Sequence, residues 1–158
     1  MGLKLLFLSI IILCWLTIDS VGSCSCSWKP NDRHFCDSDF AALVIANNRT
    51  VDNDSTVYGI DLWRVYRFRD GVANEALMRR QLWTGTYDSL CGIGLSIGDP
   101  YVVTGYLVNG KPRINICGFN KLWNDMTVDE ENGFNSEYRK LCPKNSPLIL
   151  SRIRSNYN

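Results

Sequence analysis

Six cysteines, unevenly spread, limit what this chain can fold into more than any other feature. Cys24, Cys26 and Cys36 fall within one short stretch, whereas Cys91, Cys117 and Cys142 are scattered through the remainder. In an oxidising compartment an even set of this kind reads as three disulfides, for which 15 connectivities exist. Cys24 and Cys26 are too close in sequence to bridge each other without severe strain. The simplest pattern therefore ties an N-terminal segment to the body of the domain at three points. A structural zinc site fits less well, because no paired C-x₂-C spacing occurs and His34 is the only histidine.

The compartment is set by the first 23 residues. Lys4 precedes an apolar run from Leu5 to Leu16 that contains the seventh cysteine, Cys14. The run has the length of a signal-peptide core and is too short to span a bilayer. Val21 and Ser23 fit the small-residue positions of a signal peptidase site, which predicts a cut before Cys24. A cut after Gly22 is chemically acceptable too and would leave Ser23 first. The expected organisation is a signal peptide over 1–23, one domain over 24–142 and a short tail over 143–158, in a secreted, monomeric protein. Two glycosylation sequons, at Asn48 (Asn48-Arg49-Thr50) and Asn53 (Asn53-Asp54-Ser55), agree with secretion.

Formal net charge is +1, and losing Lys4 and Asp19 with the leader leaves it unchanged. No single-sign field points to nucleic acid or to a membrane surface, and no basic stripe is interleaved with aromatics. A nucleophile–base–orienter set is missing as well, so no enzyme is predicted and no cofactor of its own.

From Phe40 the chain reads as strands. Phe40–Ala46 is apolar throughout and is followed by a polar stretch, Asn47–Ser55, read as an exposed loop. Thr56–Phe68 is rich in β-branched and aromatic residues and closes at Asp70-Gly71. Glu75–Thr86 admits strand or short helix, and Leu82-Trp83-Thr84 favours strand. Tyr101–Val108 and Lys111–Cys117 flank Asn109-Gly110, the strongest hairpin signal present. Thr127 with Glu130 forms a capping box ahead of Phe134, Tyr138 and Leu141 at helical spacing, which predicts a helix over Thr127–Leu141. Short strands followed by a helix predict a mainly β fold, a small barrel with helical cover.

Cys24-Ser25-Cys26-Ser27, Phe35-Cys36 with Ser38-Asp39, and Ser89-Leu90-Cys91-Gly92 form an ordered set. Ile116-Cys117-Gly118-Phe119 leading to Trp123-Asn124, and Gly133-Phe134 with Tyr138 before Cys142, complete it. This set resembles the tissue inhibitors of metalloproteinases, specifically their N-terminal netrin-like domain, in the single-domain form that occurs among nematodes. The resemblance implies a five-stranded OB-fold-like Greek-key β-barrel with flanking helices. It also implies the pairs Cys24–Cys91, Cys26–Cys117 and Cys36–Cys142. The implied function is inhibition of secreted or cell-surface zinc metalloproteinases. Cys24 would chelate the target's catalytic zinc through its amine and carbonyl, with Ser25 entering the specificity pocket. Cys26 and Ser27 would continue along the cleft, and Ser89 and Leu90 would form the second half of a wedge.

Plainer roles exist for each residue: Ser25 as a spacer, Ser89-Leu90 as a turn, Trp28 and His34 as packed or surface residues. Trp28 is expected to pack against the barrel. Trp28-Lys29 and Ala41-Ala42-Leu43-Val44-Ile45 depart from the family pattern, and a second six-cysteine domain is not expected. The competing functional reading is a secreted netrin-like binding or immunomodulatory module, acting on matrix components or host receptors without protease inhibition.

Overall fold

The computed structural model describes residues 24–143, so the predicted signal segment and nearly all of the predicted tail lie outside the described residues. The elements are α1 (Asn31–Asp37), β1 (Phe40–Asp52), β2 (Ser55–Phe68), α2 (Gly71–Met78), β3 (Gln81–Gly85), β4 (Pro100–Val108), β5 (Lys111–Arg113) and β6 (Asn120–Leu122). The C-terminal helix follows, as α3 (Val128–Asn132), a wider π turn (Gly133–Glu137) and α4 (Tyr138–Leu141).

Five strands close into a ring. β1 pairs with β2, β2 with β3, β3 with β5 and β5 with β4, while β4 returns to β1 antiparallel from Phe40↔Gly105 to Ile45↔Pro100. The one parallel pairing between these strands is Trp83↔Arg113, where Ile114 N–H also donates to the Trp83 carbonyl at 2.9 Å. β6 adds to the outer part of β4. The fold is therefore mainly β, an OB-fold-like barrel braced by helices, and the ring leaves few unpaired edges.

Closure explains why Phe40–Ala46 is apolar at every position. Phe40, Ala42, Val44 and Ala46 point into the barrel with Tyr58, Ile60, Leu82, Val103 and Ile114. Ala41 and Leu43, on the other face, pack with Val102 under Phe35, Phe119 and Phe134. A strand covered on both faces loses the alternation that marks a half-exposed one. Phe134 anchors the second layer, with ring centroids 4.7 Å from Phe119, 5.5 Å from Tyr66 and 5.7 Å from Phe35.

The structure corrects three local readings and adds one helix. Asn47–Asp52 is not a loop: β1 runs on to Asp52, paired from Asn48↔Gly59 to Asp52↔Ser55, and its polarity reflects an exposed hairpin arm. Glu75–Thr86 is not one strand. Asp70 caps α2 by accepting from Ala73 N–H at 2.9 Å, Ala73, Ala76 and Leu77 bury one helix face, and only Gln81–Gly85 is extended. The strand after Asn109-Gly110 ends at Arg113 and does not reach Cys117. Helix α1, which had no local signal, is fixed by burial of Phe35 and Cys36 and by Ser38 Oγ donating to the Phe35 carbonyl at 3.1 Å.

Other expectations match. Asn109 (φ 53°) and Gly110 (φ 71°) both adopt the left-handed conformation that a two-residue hairpin turn demands. Thr127 and Glu130 form the reciprocal capping box.

Candidate functional site

Residues 24–30 form a segment with no regular structure, held beside the 88–91 and 115–117 turns. Two covalent bonds hold it. Cys24 is joined to Cys91 and Cys26 to Cys117, with Cα–Cα separations of 5.4 and 5.2 Å; the third bond, Cys36–Cys142, lies under the helices. Cys24 is half-buried, whereas Ser25, Cys26 and Ser27 are exposed. The Cys24 sulfur also lies 3.8 Å from the carbonyl oxygen of Ser89, so the two chain segments run side by side.

Each disulfide is received by a pinned turn. Asp88–Leu90 is a tight 3₁₀ turn in which Leu90 N–H donates to the Tyr87 carbonyl at 2.9 Å and Cys91 N–H to the Asp88 carbonyl at 3.0 Å. Cys91 itself sits at φ 56°, a conformation uncommon for a side-chain-bearing residue and held here by its surroundings. The turn rests directly on β3, because a Cβ on Gly85 would come 2.4 Å from the Leu90 carbonyl oxygen.

Beyond the turn the chain is stitched into the barrel. Ile93 N–H donates to Thr84 Oγ1 and Leu95 N–H to Tyr58 Oη, both at 3.0 Å. At the second bond, Asn115 Oδ1 accepts from Cys117 N–H at 2.9 Å, and Ile116 N–H donates to the Cys91 carbonyl at 3.0 Å. The segment from Cys24, the 88–91 turn and the 115–117 turn thus form one cross-linked unit.

This arrangement brings Cys24, Ser25, Cys26 and Ser27 to the same end of the molecule as Ser89 and Leu90. Trp28 does not pack against the barrel as expected. It is 86% exposed, in a run from Ser25 to Pro30 that is exposed throughout. Tyr87 and Ile116, which sequence reasoning did not single out, are also exposed around this end, as is Leu90. Ile116 directly precedes Cys117, and Tyr87 opens the turn that ends at Cys91.

Charge near the segment is modest. Lys29 Nζ and Arg33 Nη1 lie 3.6 and 3.8 Å from Asp37 carboxylate oxygens. His34, half-buried in α1, has its pKa lowered, chiefly by burial and then by Lys29, against the opposing pull of Asp37. Among the described residues no group of three or more His, Cys, Asp or Glu side chains is arranged to hold a metal ion. No described helix is long and apolar enough to cross a membrane.

The two sequon asparagines are both on the β1–β2 hairpin: Asn48 within β1, and Asn53 at the tip.

An open depression of about 470 Å³ adjoins the cross-linked unit, lined in part by Leu90 and Cys91, Asp54 and Ser55 of the hairpin, and Tyr106 and Arg113 of β4 and β5.

The family model described as "Tissue inhibitor of metalloproteinase" matches residues 22–146. The tissue inhibitor of metalloproteinase of Drosophila melanogaster is 31% identical over 120 residues, covering 75% of this chain and 55% of that protein. Metalloproteinase inhibitor 3 of Gallus gallus is 26% identical over 146 residues, covering 86% and 65%. Metalloproteinase inhibitor 3 of Xenopus laevis is 25% identical over 124 residues, covering 75% and 56%. The chain thus spans between about half and two thirds of the length of these relatives.

Proposed function

The chain belongs to the tissue inhibitor of metalloproteinase family, and from that premise we propose that it is a secreted protein inhibitor of zinc metalloproteinases. The observation that carries this reading is the half-buried Cys24 followed by exposed Ser25–Ser27, bonded through Cys24 to the turn that holds Ser89 and Leu90.

The chemistry follows from a chain that begins at Cys24. An N-terminal residue offers an amine nitrogen and a carbonyl oxygen that close a five-membered chelate around a metal. The reference pKa of an α-amino group is about 8, so the lone pair is cheaply available near neutral pH. A catalytic zinc keeps one position open for water, which such a chelate displaces. Ser25 then directs its side chain into the protease's specificity pocket, Cys26 and Ser27 extend along the cleft, and Ser89 with Leu90 forms the second edge. The two disulfides leave little conformational freedom to be lost on binding. The zinc is the target's own; no resident cofactor or enzymatic activity is proposed.

The test is a steady-state assay against a panel of secreted and cell-surface zinc metalloproteinases, with N-terminal sequencing of the same protein. Protein starting at Cys24 is expected to inhibit at least one enzyme. Protein with one residue added before Cys24, or with that amine acetylated, is expected to lose inhibition. Unchanged inhibition by either variant rejects chelation. Full activity of every enzyme at micromolar protein rejects inhibition altogether and leaves the binding-module reading.

A further inference from the structure

We propose that Asn53 carries an N-linked glycan that stands beside the Cys24 wedge and restricts which proteases can seat on it. The proposal rests on the inhibitor reading above and on secretion. Asn53 occupies the two-residue turn between Asp52 and Ser55, at φ 53° and exposed. Its side-chain amide donates only to the neighbouring exposed Asp52 carboxylate, at 3.4 Å, so no barrel contact competes for the nitrogen.

The tip is nevertheless fixed in place. Thr86 N–H donates to the Asp54 carbonyl at 3.0 Å, Ser55 pairs with Gly85, and Arg113 donates to Ser55 Oγ at 3.1 Å. Gly85 is the residue on which the Leu90 backbone rests. Asp54 and Ser55 form one wall of the depression whose other wall includes Leu90 and Cys91.

Distance decides the consequence. Adjacent strands lie about 4.8 Å apart and a strand advances about 3.4 Å per residue, which puts the Asn53 backbone, two residues before Ser55, within roughly 15 Å of the Leu90 turn. A typical interface of about 800 Å² per partner is roughly 30 Å across. A footprint centred on the wedge therefore reaches Asn53, and a bulky hydrophilic oligosaccharide rooted there competes with the partner for space. Asn48 differs. It lies opposite Gly59, whose partner on β3 is Gln81, at the end of β3 away from Gly85. That is roughly 16 Å further along the hairpin arm.

Attachment needs a polyprenyl-diphosphate-linked oligosaccharide, supplied in the secretory pathway. The Asn53 Nδ2 forms a bond to the anomeric carbon, the bond from that carbon to the phosphate oxygen breaks, the diphosphate leaves with the electron pair, and the amide gives up one proton.

The experiment uses protein secreted from eukaryotic cells, with glycopeptide masses for both sequons. Inhibition constants across a metalloproteinase panel are compared for the intact glycoprotein, the same preparation trimmed by an endoglycosidase, Asn53→Gly and Thr50→Ala. Glycine accepts the positive φ, and Thr50→Ala removes the other sequon while keeping the Asn48 Oδ1 contact to Gly59 N–H. We expect Asn53 to be occupied. Trimming or Asn53→Gly should tighten inhibition of at least one protease tenfold or more and change others less than twofold, with Thr50→Ala indifferent. An unmodified Asn53, a trimmed form within twofold of the intact one on every protease, or an equal effect of Thr50→Ala overturns the proposal. Failure of every form to inhibit rejects the inhibitor reading and this proposal together, whereas inhibition indifferent to the glycan rejects this one alone.

Discussion

Gly85 and Leu90 are packed backbone to backbone: a methyl group on Gly85 would come 2.4 Å from the Leu90 carbonyl oxygen and 2.7 Å from the Leu90 Cβ. Gly92 repeats the relationship from the other side, since a Cβ there would fall 2.1 Å from the Gly85 carbonyl oxygen. The turn carrying Ser89 and Leu90 is thus seated on β3 without any intervening side chain. This seating sets its height relative to Cys24.

Gly85→Ala should therefore displace the turn. Overpacking of this kind costs about 1–3 kcal/mol. The expected outcome is a lowered unfolding midpoint together with weaker protease inhibition. A variant that is destabilised but inhibits as well as wild type would show that the turn's height does not matter.

Replacing both Cys24 and Cys91 by serine separates rigidity from chelation. The backbone amine and carbonyl of residue 24 remain, but the bond that closes a 67-residue separation is gone. Stability should fall by about 2–4 kcal/mol. Inhibition should weaken by at least tenfold through the cost of ordering the segment, measured at a temperature where both proteins are folded. An unchanged inhibition constant would count against the preorganised wedge.

Two aromatic residues should behave oppositely. Phe134 is 1% exposed among four aromatic rings, and Phe134→Ala is expected to cost about 3–5 kcal/mol. Trp28, projecting into solvent, should be replaceable by Ala within about 0.5 kcal/mol. Denaturant unfolding of the two variants checks both values.

Glu130 supplies a pH dependence with a definite sign. Burial raises its pKa, but hydrogen bonds from Lys121 (2.7 Å) and from the Thr127 N–H (2.9 Å) outweigh this and hold the carboxylate below its ordinary value of 4.5. A carboxylate with a depressed folded pKa contributes stability above the unfolded value and loses it as pH falls through the folded one. Glu130→Gln should cost about 1 kcal/mol near neutrality, the scale of a helix cap. It should also flatten the stability profile below about pH 4.5 relative to wild type. Melting curves recorded down to about pH 3 test this.

What could be read in advance was local. Asn109-Gly110 specified its hairpin because both residues tolerate positive φ. Thr127 and Glu130 specified a helix start because their side chains satisfy nearby backbone donors. The polar residues of the arm Asn47–Asp52 report its exposure, whereas its strand character comes from pairing with β2. Leu82 and Trp83 dominate the pattern of Glu75–Thr86, while the cap at Asp70 that starts α2 lies upstream of it. Trp28 is expected against the barrel as an aromatic close to a disulfide, and neither its residue type nor that neighbourhood reports the exposure of its segment.

The sequence by itself determined that six cysteines follow an apolar N-terminal run, that the chain is strand-rich, and where one hairpin turn and one helix cap fall. Only the tertiary structure decided which of the possible cysteine pairings forms, that Cys24 lies against Ser89, and that the hairpin tip at Asn53 stands beside the same turn. The reason is range. Caps and hairpins are settled by groups a few residues apart, whereas the site joins positions separated by 67 and 91 residues and exists only once the ring of strands has closed.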